Sequence, residues 1–183
     1  MKRKTSNKAL FCGLDNSGKS TIISFLKEGR FVEHTPTMGK NKEELVVKGT
    51  KLSIVDLGGQ SHFRKMWLGE LSKDTKCVVF VVDRADPARF QEAKEELNKL
   101  IPVIKQKNLK FLLFANKTDL DTAVSIEEIY ESFDLTDLGS FEIIEVSAKT
   151  GFGIVNAFMK FYSALTGKKI KRNVVASAIS IYN

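Results

Sequence analysis

The sequence predicts an α/β fold, a doubly wound and mostly parallel six-stranded sheet with helices flanking its faces. Short apolar runs alternate with segments of helical periodicity, which is the pattern of strands joined by crossover helices. Polar and glycine-rich motifs come directly after these runs, at the carboxyl ends of the predicted strands. Ligands bind at that edge of such a sheet, so we expect the functional site there.

The six predicted strands are short apolar runs bounded by turn-forming residues. They cover residues 9–12, 45–48, 52–57, 77–82, 110–115 and 141–146. A short hairpin around Gly49 joins the second strand to the third, which makes this pair antiparallel. The fourth run is apolar at every position, as is typical of a strand buried on both faces of a parallel sheet.

The predicted helices are marked by periodicity and by capping residues. Asp86 is expected to cap a helix that starts at Pro87 and ends before Pro102. Other helices are expected between the first strand and about residue 28, within the segment before residue 77, from the capping box at residues 125–128, and over about residues 153–166.

The charge pattern divides the chain into one domain at residues 9–166 and two basic tails at residues 1–8 and 167–183. Each tail carries four basic and no acidic side chains, so the domain is almost neutral although the chain's net charge is +7. This argues against nucleic-acid binding. The tails either solubilise the protein or weakly contact an anionic membrane. The apolar stretch at residues 174–182 packs on the domain, lies on a membrane or is disordered; the sequence leaves all three open.

Composition indicates an ordinary globular chain of 183 residues. Its apolar runs are shorter than the ~20 residues of a membrane-spanning helix. Cys12 and Cys77 fall in predicted buried strands and are expected to be reduced thiols. We therefore expect a cytoplasmic monomer whose contact with a membrane, if any, is peripheral.

A glycine-rich motif after the first strand predicts a phosphate-binding loop. Residues 13–20 read G-L-D-N-S-G-K-S, which fits G-x-x-x-x-G-K-S. Lys19 is expected to reach the β- and γ-phosphates, and the Ser20 hydroxyl is expected to ligate Mg²⁺. Backbone N–H groups and the positive end of the next helix face the phosphates. The predicted nucleotide-binding residues of this segment are Gly13, Asp15, Asn16, Ser17, Gly18, Lys19, Ser20 and Thr21.

A second motif, D-L-G-G-Q at residues 56–60, predicts the chemistry at the γ-phosphate. Asp56 is expected to hold Mg²⁺, the Gly59 N–H to sense the γ-phosphate, and Gln60 to orient the attacking water as the catalytic residue. Thr37, in the irregular segment at residues 29–41, is expected to ligate Mg²⁺ when the γ-phosphate is present. Both loops would then be ordered by GTP and released on hydrolysis.

Two further motifs predict selection of guanine. In N-K-T-D, the Asp119 carboxylate can accept hydrogen bonds from N1 and the 2-amino group of guanine, which adenine does not offer. The Lys117 stem can lie along the base, and Asn116 can brace the loops. In S-A-K, which begins at Ser147, the Ala148 N–H would reach guanine O6 and Lys149 would supply a second stem.

Taken together, these motifs resemble those of the Ras superfamily of small GTPases, and of its Arf/Sar family most closely. The phosphate loop has Asp15 after G-L, and Thr37 and Asp56 are 19 residues apart, as in the short interswitch of Arf and Sar proteins. The segments K-E-E-L, D-L-G-G-Q and A-K-E-E-L are similar to Sar. The resemblance covers about residues 8–166 and implies the P-loop NTPase fold of small G proteins.

The chain also departs from these families. Gln60 stands where Sar proteins have histidine, and Lys40, Val55 and Glu70 stand where Arf proteins have an aromatic trio on the effector face. Only about eight residues, four of them basic, precede the first strand, in place of the family's N-terminal amphipathic helix. We therefore expect the usual Arf effector pocket to be missing, and no membrane docking or vesicle-coat role through such a helix.

Five other residues carry side chains that could serve a metal site, a partner surface or hydrolysis. His34 and His62 are expected to be exposed loop residues rather than metal ligands. Trp67 matches an aromatic of the Arf/Sar second switch, and it either packs in the core or contributes to a partner surface. Arg30 and Arg64 lack the placement of an arginine finger in cis, three residues before the Mg²⁺ threonine, where His34 stands.

The predicted function is a guanine-nucleotide switch that binds GTP or GDP with Mg²⁺ and hydrolyses GTP slowly, in membrane-associated trafficking or signalling. Slow hydrolysis is expected because Asp15 places a carboxylate near the γ-phosphate and no arginine offsets the charge of the transition state. The resemblance implies an exchange factor, an activating protein and an effector. The alternative is a constitutively GTP-bound scaffold or receptor subunit, against which Gln60 argues; N-K-T-D argues against an ATPase or nucleotide kinase.

Overall fold

The chain folds around one sheet with the strand order β2-β3-β1-β4-β5-β6. The computed structural model describes residues 7–71 and 74–180. The β2–β3 pair is antiparallel, and the neighbouring pairs from β3 to β6 are parallel, so the predicted fold class is confirmed. The strands are β1 (Lys8–Cys12), β2 (Lys40–Val47), β3 (Thr50–Leu57), β4 (Thr75–Asp83), β5 (Lys110–Asn116) and β6 (Glu142–Glu145).

Helices cover both faces of the sheet, and the sheet separates the core into two parts. On one face, Phe11 packs with Ile22 and Phe161; on the other, Phe80 packs with Trp67. Cys12 and Cys77 are buried free thiols, as predicted. The helices are α1 (Lys19–Glu28), α2 (Ser61–Glu70), α3 (Phe90–Gln106), α4 (Ile126–Phe133), α5 (Ile154–Thr166) and α6 (Arg172–Ser180). Among the described residues, no helix is long and apolar enough to cross a membrane.

Strand β2 is longer than predicted. It begins at Lys40 rather than at residue 45, and it pairs with β3 from Lys40 opposite Leu57 to Val47 opposite Thr50. Its first half carries charged, largely exposed side chains because β2 lies at the edge of the sheet. Backbone hydrogen bonding to β3 holds these residues in the strand, so apolar patterning alone did not reveal them.

The prediction for α3 was wrong at both ends. Pro87 starts a short 3₁₀ turn, the Asp86 side chain makes no capping hydrogen bond, and α3 begins only at Phe90. The helix also continues through Pro102 to Gln106. Burial of Ile101 and Ile104 against the sheet offsets the backbone hydrogen bond that the proline loses.

The C-terminal segment packs on the domain. After a turn at Gly167, Ile170 is buried, and α6 places the fully buried Val175 in the core beside α1 and α5. Three alternatives were open for residues 174–182, and the structure shows that the part through residue 177 packs on the domain. The basic residues of the N-terminal tail before Asn7 and the last three residues of the chain lie outside the described residues.

Candidate functional site

The glycine-rich loop between β1 and α1 forms one wall of the site. Gly13 has φ 136°, and a Cβ there would lie 2.2 Å from the carbonyl oxygen of Val81. Gly18 has φ 89°, and a Cβ there would lie 2.2 Å from the side-chain nitrogen of Asn116. Both positions need glycine because the backbone is left-handed and neighbouring atoms are in contact. The loop ends where α1 begins, so it exposes the N–H groups of a helix N-terminus.

Lys19 is a buried cation in this loop. Its Nζ donates hydrogen bonds to the carbonyl oxygen of Leu14 at 2.7 Å and to Ser17 Oγ at 3.4 Å. Burial lowers the pKa of its ammonium group, and the negative charge of Asp56 opposes this shift. A buried ammonium group in a loop of exposed N–H groups suits a polyanionic ligand.

Three side chains bring their oxygen atoms together next to the phosphate loop. Ser20 Oγ lies 2.7 Å from Thr37 Oγ1 and donates to Asp56 Oδ2 at 2.5 Å, while Thr37 Oγ1 donates to the same oxygen at 3.2 Å. Burial raises the pKa of Asp56, against the lowering effect of the Ser20 hydrogen bond. Asp56 Oδ1 is buried without a hydrogen-bond partner among the described residues. Hydroxyl and carboxylate oxygens with one unsatisfied acceptor fit a Mg²⁺ ion.

The segment at residues 58–60 lies against the phosphate loop. A Cβ on Gly59 would lie 2.1 Å from the backbone nitrogen of Asp15, so the two loops are in direct contact. Gln60 precedes α2 and lines the same cavity as Lys19. The indole N–H of Trp67 donates to the carbonyl oxygen of Gly58 at 3.1 Å, and its ring is buried. In this conformation Trp67 therefore packs in the core, and its side chain is not part of an exposed partner surface.

The other end of the cavity is built from the loops after β5 and β6. Asn116 Nδ2 donates to the carbonyl oxygen of Ser17 at 2.8 Å, and Asn116 Oδ1 accepts from the Ala148 N–H at 3.1 Å. Ser147 Oγ donates to Asp119 Oδ1 at 2.6 Å. Asn116 thus braces three loops, and Ser147 orients the carboxylate predicted to bind guanine.

Two lysines line this end of the cavity. Lys117 has φ 67°, and its Nζ lies 2.6 Å from Asp83 Oδ2. This ion pair fixes the end of a side chain that lines the cavity, where a base could stack on its stem. Lys149 lines the same cavity from the loop after β6.

The cavity has a volume of about 390 Å³ and brings most of the predicted residues together. Gly13, Ser17, Asp56 and Ser147 lie behind its surface and hold it in shape rather than line it. The cavity is also lined by residues that no sequence motif marks, brought there by the fold of the first switch (the irregular segment at residues 29–41) and of the N-K-T-D loop: Phe31, His34, Thr35, Pro36 and Leu120. The predicted lining residues are Asp15, Asn16, Gly18, Lys19, Ser20, Thr21, Thr37, Gly59, Gln60, Asn116, Lys117, Asp119, Ala148 and Lys149.

Two arginines pair with Asp15, an interaction that no sequence motif predicted. Arg89 Nη2 lies 2.9 Å from Asp15 Oδ1, and Arg64 Nη2 lies 3.6 Å from it. Burial raises the pKa of Asp15, but the hydrogen bond and charge of Arg89 outweigh it and hold this pKa below its usual value. Only the packing of α2 and of the 3₁₀ turn before α3 against the phosphate loop brings these distant residues together.

Neither arginine is available as a finger in this conformation. Arg64 is buried and donates to the carbonyl oxygen of Gly59 at 2.7 Å and to Glu92 at 2.8 Å. Arg89 also donates to Glu92, at 2.9 Å. Arg30 pairs with Glu28 outside the cavity lining. His34 lines the cavity, with Nε2 2.6 Å from Ser24 Oγ.

A glycine-rich loop that ends at a helix N-terminus, a buried lysine and a cavity that extends to the N-K-T-D loop define the class: the chain is a small GTPase of the P-loop type. The family model of the ADP-ribosylation factor (Arf) family matches residues 1–165. The chain therefore belongs to the Arf family. The Sar-like details of its switch regions stay a prediction.

Individual relatives agree with this assignment. The chain is 40% identical over 147 residues to ADP-ribosylation factor-like protein 2 of Dictyostelium discoideum, covering 79% of each chain. It is 34% identical over 169 residues to ADP-ribosylation factor F of the same organism, covering 90% of this chain and 88% of that protein.

Two solved structures share the fold. The Arl6 small GTPase from Trypanosoma brucei, solved with the bound nucleotide analogue GppNp, superposes with a TM-score of 0.74 at 30% identity, covering 88% of this chain and 98% of that one. The mammalian SRP receptor superposes with a TM-score of 0.77 at 20% identity, covering 87% and 100%, which shows a shared fold alone.

Proposed function

We propose that this GTPase is a molecular switch that binds GTP or GDP together with Mg²⁺ and hydrolyses GTP slowly. The observation that carries the proposal is the cluster of Ser20, Thr37 and Asp56, whose oxygens lie within 3.2 Å of one another in the pairs described above. One residue comes from the phosphate loop, one from the first switch and one from β3. Because these three parts meet at one site, a change in what is bound there alters the contacts of all three.

Ser20, Thr37 and Asp56 would hold the Mg²⁺ ion, and the unpartnered Asp56 Oδ1 supports this donor set. The bound ion neutralises phosphate charge. Thr37 is the member that belongs to an irregular segment, so its bond to this cluster holds the first switch closed. Loss of the γ-phosphate would release that segment while Ser20 and Asp56 stay on the sheet and α1.

Hydrolysis is proposed to be slow without an activating protein. Gln60 lines the cavity and can orient a water molecule for attack. No arginine lines the cavity among the described residues, because Arg64 and Arg89 are bound to Asp15 and Glu92. An activating protein that supplies an arginine typically accelerates hydrolysis about 10³- to 10⁵-fold.

The alternative function, a constitutively GTP-bound scaffold or receptor subunit, predicts no turnover. Single-turnover hydrolysis of GTP by the parent protein and by Gln60→Leu distinguishes the two. The switch predicts measurable turnover in the parent, slower turnover in the variant and nearly equal affinity for GTP in both. Turnover that is absent from the parent under conditions of full GTP loading would contradict the switch.

Selection of guanine is proposed to rest on Asp119. Xanthine carries a carbonyl in place of the 2-amino group, so Asp119→Asn should shift preference from GTP toward XTP. Competition between GTP and XTP for the parent and the variant measures this shift. An unchanged ratio would show that another group reads the base.

We propose that the effector face differs from that of a typical Arf protein. Lys40 and Glu70 form an ion pair at 2.6 Å, and Val55 is buried, so the positions of the aromatic trio supply charge rather than an aromatic pocket. An exchange factor, an activating protein and an effector are proposed partners of a monomeric protein. A role in trafficking or signalling follows by family likeness alone.

We also propose a cytoplasmic location with weak peripheral contact to anionic membranes. Lys168, Lys169, Lys171 and Arg172 are exposed in and after the turn before α6. Each such residue contributes about 1 kcal/mol near an anionic surface. The buried Val175 makes insertion of α6 unfavourable, so the contact would be electrostatic. Co-sedimentation with phosphatidylserine vesicles should fall at high salt and on changing these four residues to Gln; binding that is insensitive to both would contradict the proposal.

A further inference from the structure

We propose that Arg84 is a positioning residue for guanine recognition, a role that rests on the proposed function of the nucleotide site. Arg84 lies just after β4 and outside the cavity lining. No motif of the sequence singles it out. Its side chain is nevertheless only 8% exposed, which is unusual for an arginine and requires nearby partners.

The backbone of Arg84 ties together both ends of the N-K-T-D loop. Its N–H donates to the carbonyl oxygen of Asn116 at 3.1 Å, where β5 ends. Its carbonyl oxygen accepts from the N–H of Val124 at 2.9 Å, where the loop ends. The loop is therefore closed onto this one residue.

The guanidinium group donates hydrogen bonds to three residues at once. Its Nε and Nη2 donate to the carbonyl oxygen of Val124, the former at 2.8 Å. Its Nη1 donates to Thr118 Oγ1 at 3.3 Å and to Glu145 Oε2 at 2.8 Å. Thr118 stands between Lys117 and Asp119, the two residues predicted to contact the base.

Glu145 extends this linkage to the second base-binding loop. It is the last residue of β6, two positions before Ser147, whose hydroxyl donates to Asp119 Oδ1. The Thr118 N–H also donates to the carbonyl oxygen of Val146 at 3.2 Å. One planar guanidinium group thus fixes the N-K-T-D loop relative to the S-A-K loop, which decides where the Asp119 carboxylate lies.

Lysine cannot replace this arrangement, because a single ammonium group cannot form the planar fork that joins Val124 to Thr118 and Glu145. Removing the guanidinium group leaves a carbonyl and a hydroxyl with one partner fewer and lets the loop move. Asp119 would then bind the 2-amino group of guanine less well. Contacts to the phosphates, on the opposite side of the cavity, do not depend on Arg84.

The test compares GDP with IDP, whose hypoxanthine base lacks only the 2-amino group. The parent protein should prefer GDP strongly, and Arg84→Met and Arg84→Lys should reduce the GDP-to-IDP affinity ratio by about tenfold, as for loss of one coupled interaction. Thr118→Val should reduce the ratio in the same direction. The combined Arg84→Met and Thr118→Val variant should lose less than the product of the two single effects.

Arg64→Met is the matched control, because it removes an equally buried arginine that contacts the phosphate loop and α3 rather than the base-binding loops. It should lower the melting temperature but leave the GDP-to-IDP ratio unchanged. A ratio within twofold of the parent in both Arg84→Lys and Thr118→Val would overturn the proposal, even if Arg84→Met fails to fold. A parent that shows no preference for GDP over ADP would instead contradict the proposed function itself.

Discussion

The side-chain nitrogen of Asn116 donates a 2.8 Å hydrogen bond to the carbonyl oxygen of Ser17, which is 99 residues away in the sequence. The same side chain accepts from the N–H of Ala148 at 3.1 Å. The phosphate end and the base end of the cavity are therefore joined through one buried amide. A nucleotide that spans both ends would meet a site already held at the right length.

Asn116→Ala should lower both the free energy of unfolding and the affinity for nucleotide. The buried Ala148 N–H and Ser17 carbonyl oxygen would each lose a partner, which costs about 1–3 kcal/mol of unfolding free energy. GDP should also dissociate faster. Urea denaturation and release of a fluorescent GDP analogue measure the two effects, and unaltered release alongside lowered stability would separate Asn116 from nucleotide binding.

Thr37→Ala should affect GTP and GDP differently. The Thr37 hydroxyl bonds to Ser20 and Asp56 from an irregular segment, so its loss should spare GDP affinity and leave residues 29–41 open to hydrogen exchange even with a GTP analogue bound. Ser20→Asn should weaken GTP binding more than GDP binding, because Ser20 is a proposed ligand of Mg²⁺ and the ion would neutralise the additional charge of the γ-phosphate. Equal losses of both nucleotides in the Thr37 variant would argue against a switch role.

Arg89→Met should lower affinity for GTP more than for GDP. The Asp15 carboxylate would lose its nearest cation, at 2.9 Å, and would repel the more highly charged nucleotide, by about tenfold in affinity. Adding Asp15→Asn to Arg89→Met removes the repelling charge and should restore affinity. If the double variant binds GTP no better than Arg89→Met, the pair acts through loop structure rather than through charge.

Glu70→Gln should make stability less dependent on pH. Hydrogen bonds from Lys40, and then from Lys8, hold the pKa of Glu70 below its ordinary value of 4.5. The carboxylate therefore stabilises the fold at pH above the ordinary value, and this contribution is lost as the pH falls through the lowered pKa. The variant should be about 1 kcal/mol less stable at pH 7 and should converge with the parent in acid. Urea denaturation at both pH values checks this, and a constant difference would contradict it.

Val175→Asp should unfold or strongly destabilise the protein, because it buries an unpaired charge against α1 and α5, at a cost on the order of 3–5 kcal/mol. Asn173→Asp is the matched control, since it adds the same charge to the same helix at an exposed position near its N-terminus. Thermal melts compare the three proteins. Equal melting temperatures would show that α6 is not part of the core.

The sequence by itself determined the sheet, its parallel strands and the residues of the phosphate loop. Buried parallel strands must be apolar throughout, and the phosphate loop must have glycine where a side chain would strike Val81 or Asn116, so both leave marks in the local pattern. The edge strand β2 and the passage of α3 through Pro102 left no such mark. Their bounds depend on backbone pairing with β3 and on burial of Ile101 and Ile104.

The pairing of charges around the site depends on how the folded chain brings distant residues together. Asp15 is read from the phosphate motif, but its partner Arg89 lies 74 residues further along the chain. Arg84 belongs to no motif, yet it holds Thr118, Val124 and Glu145 in one arrangement. An ion pair depends on the distance between two side chains in space, and that distance is set only when the helices pack on the sheet.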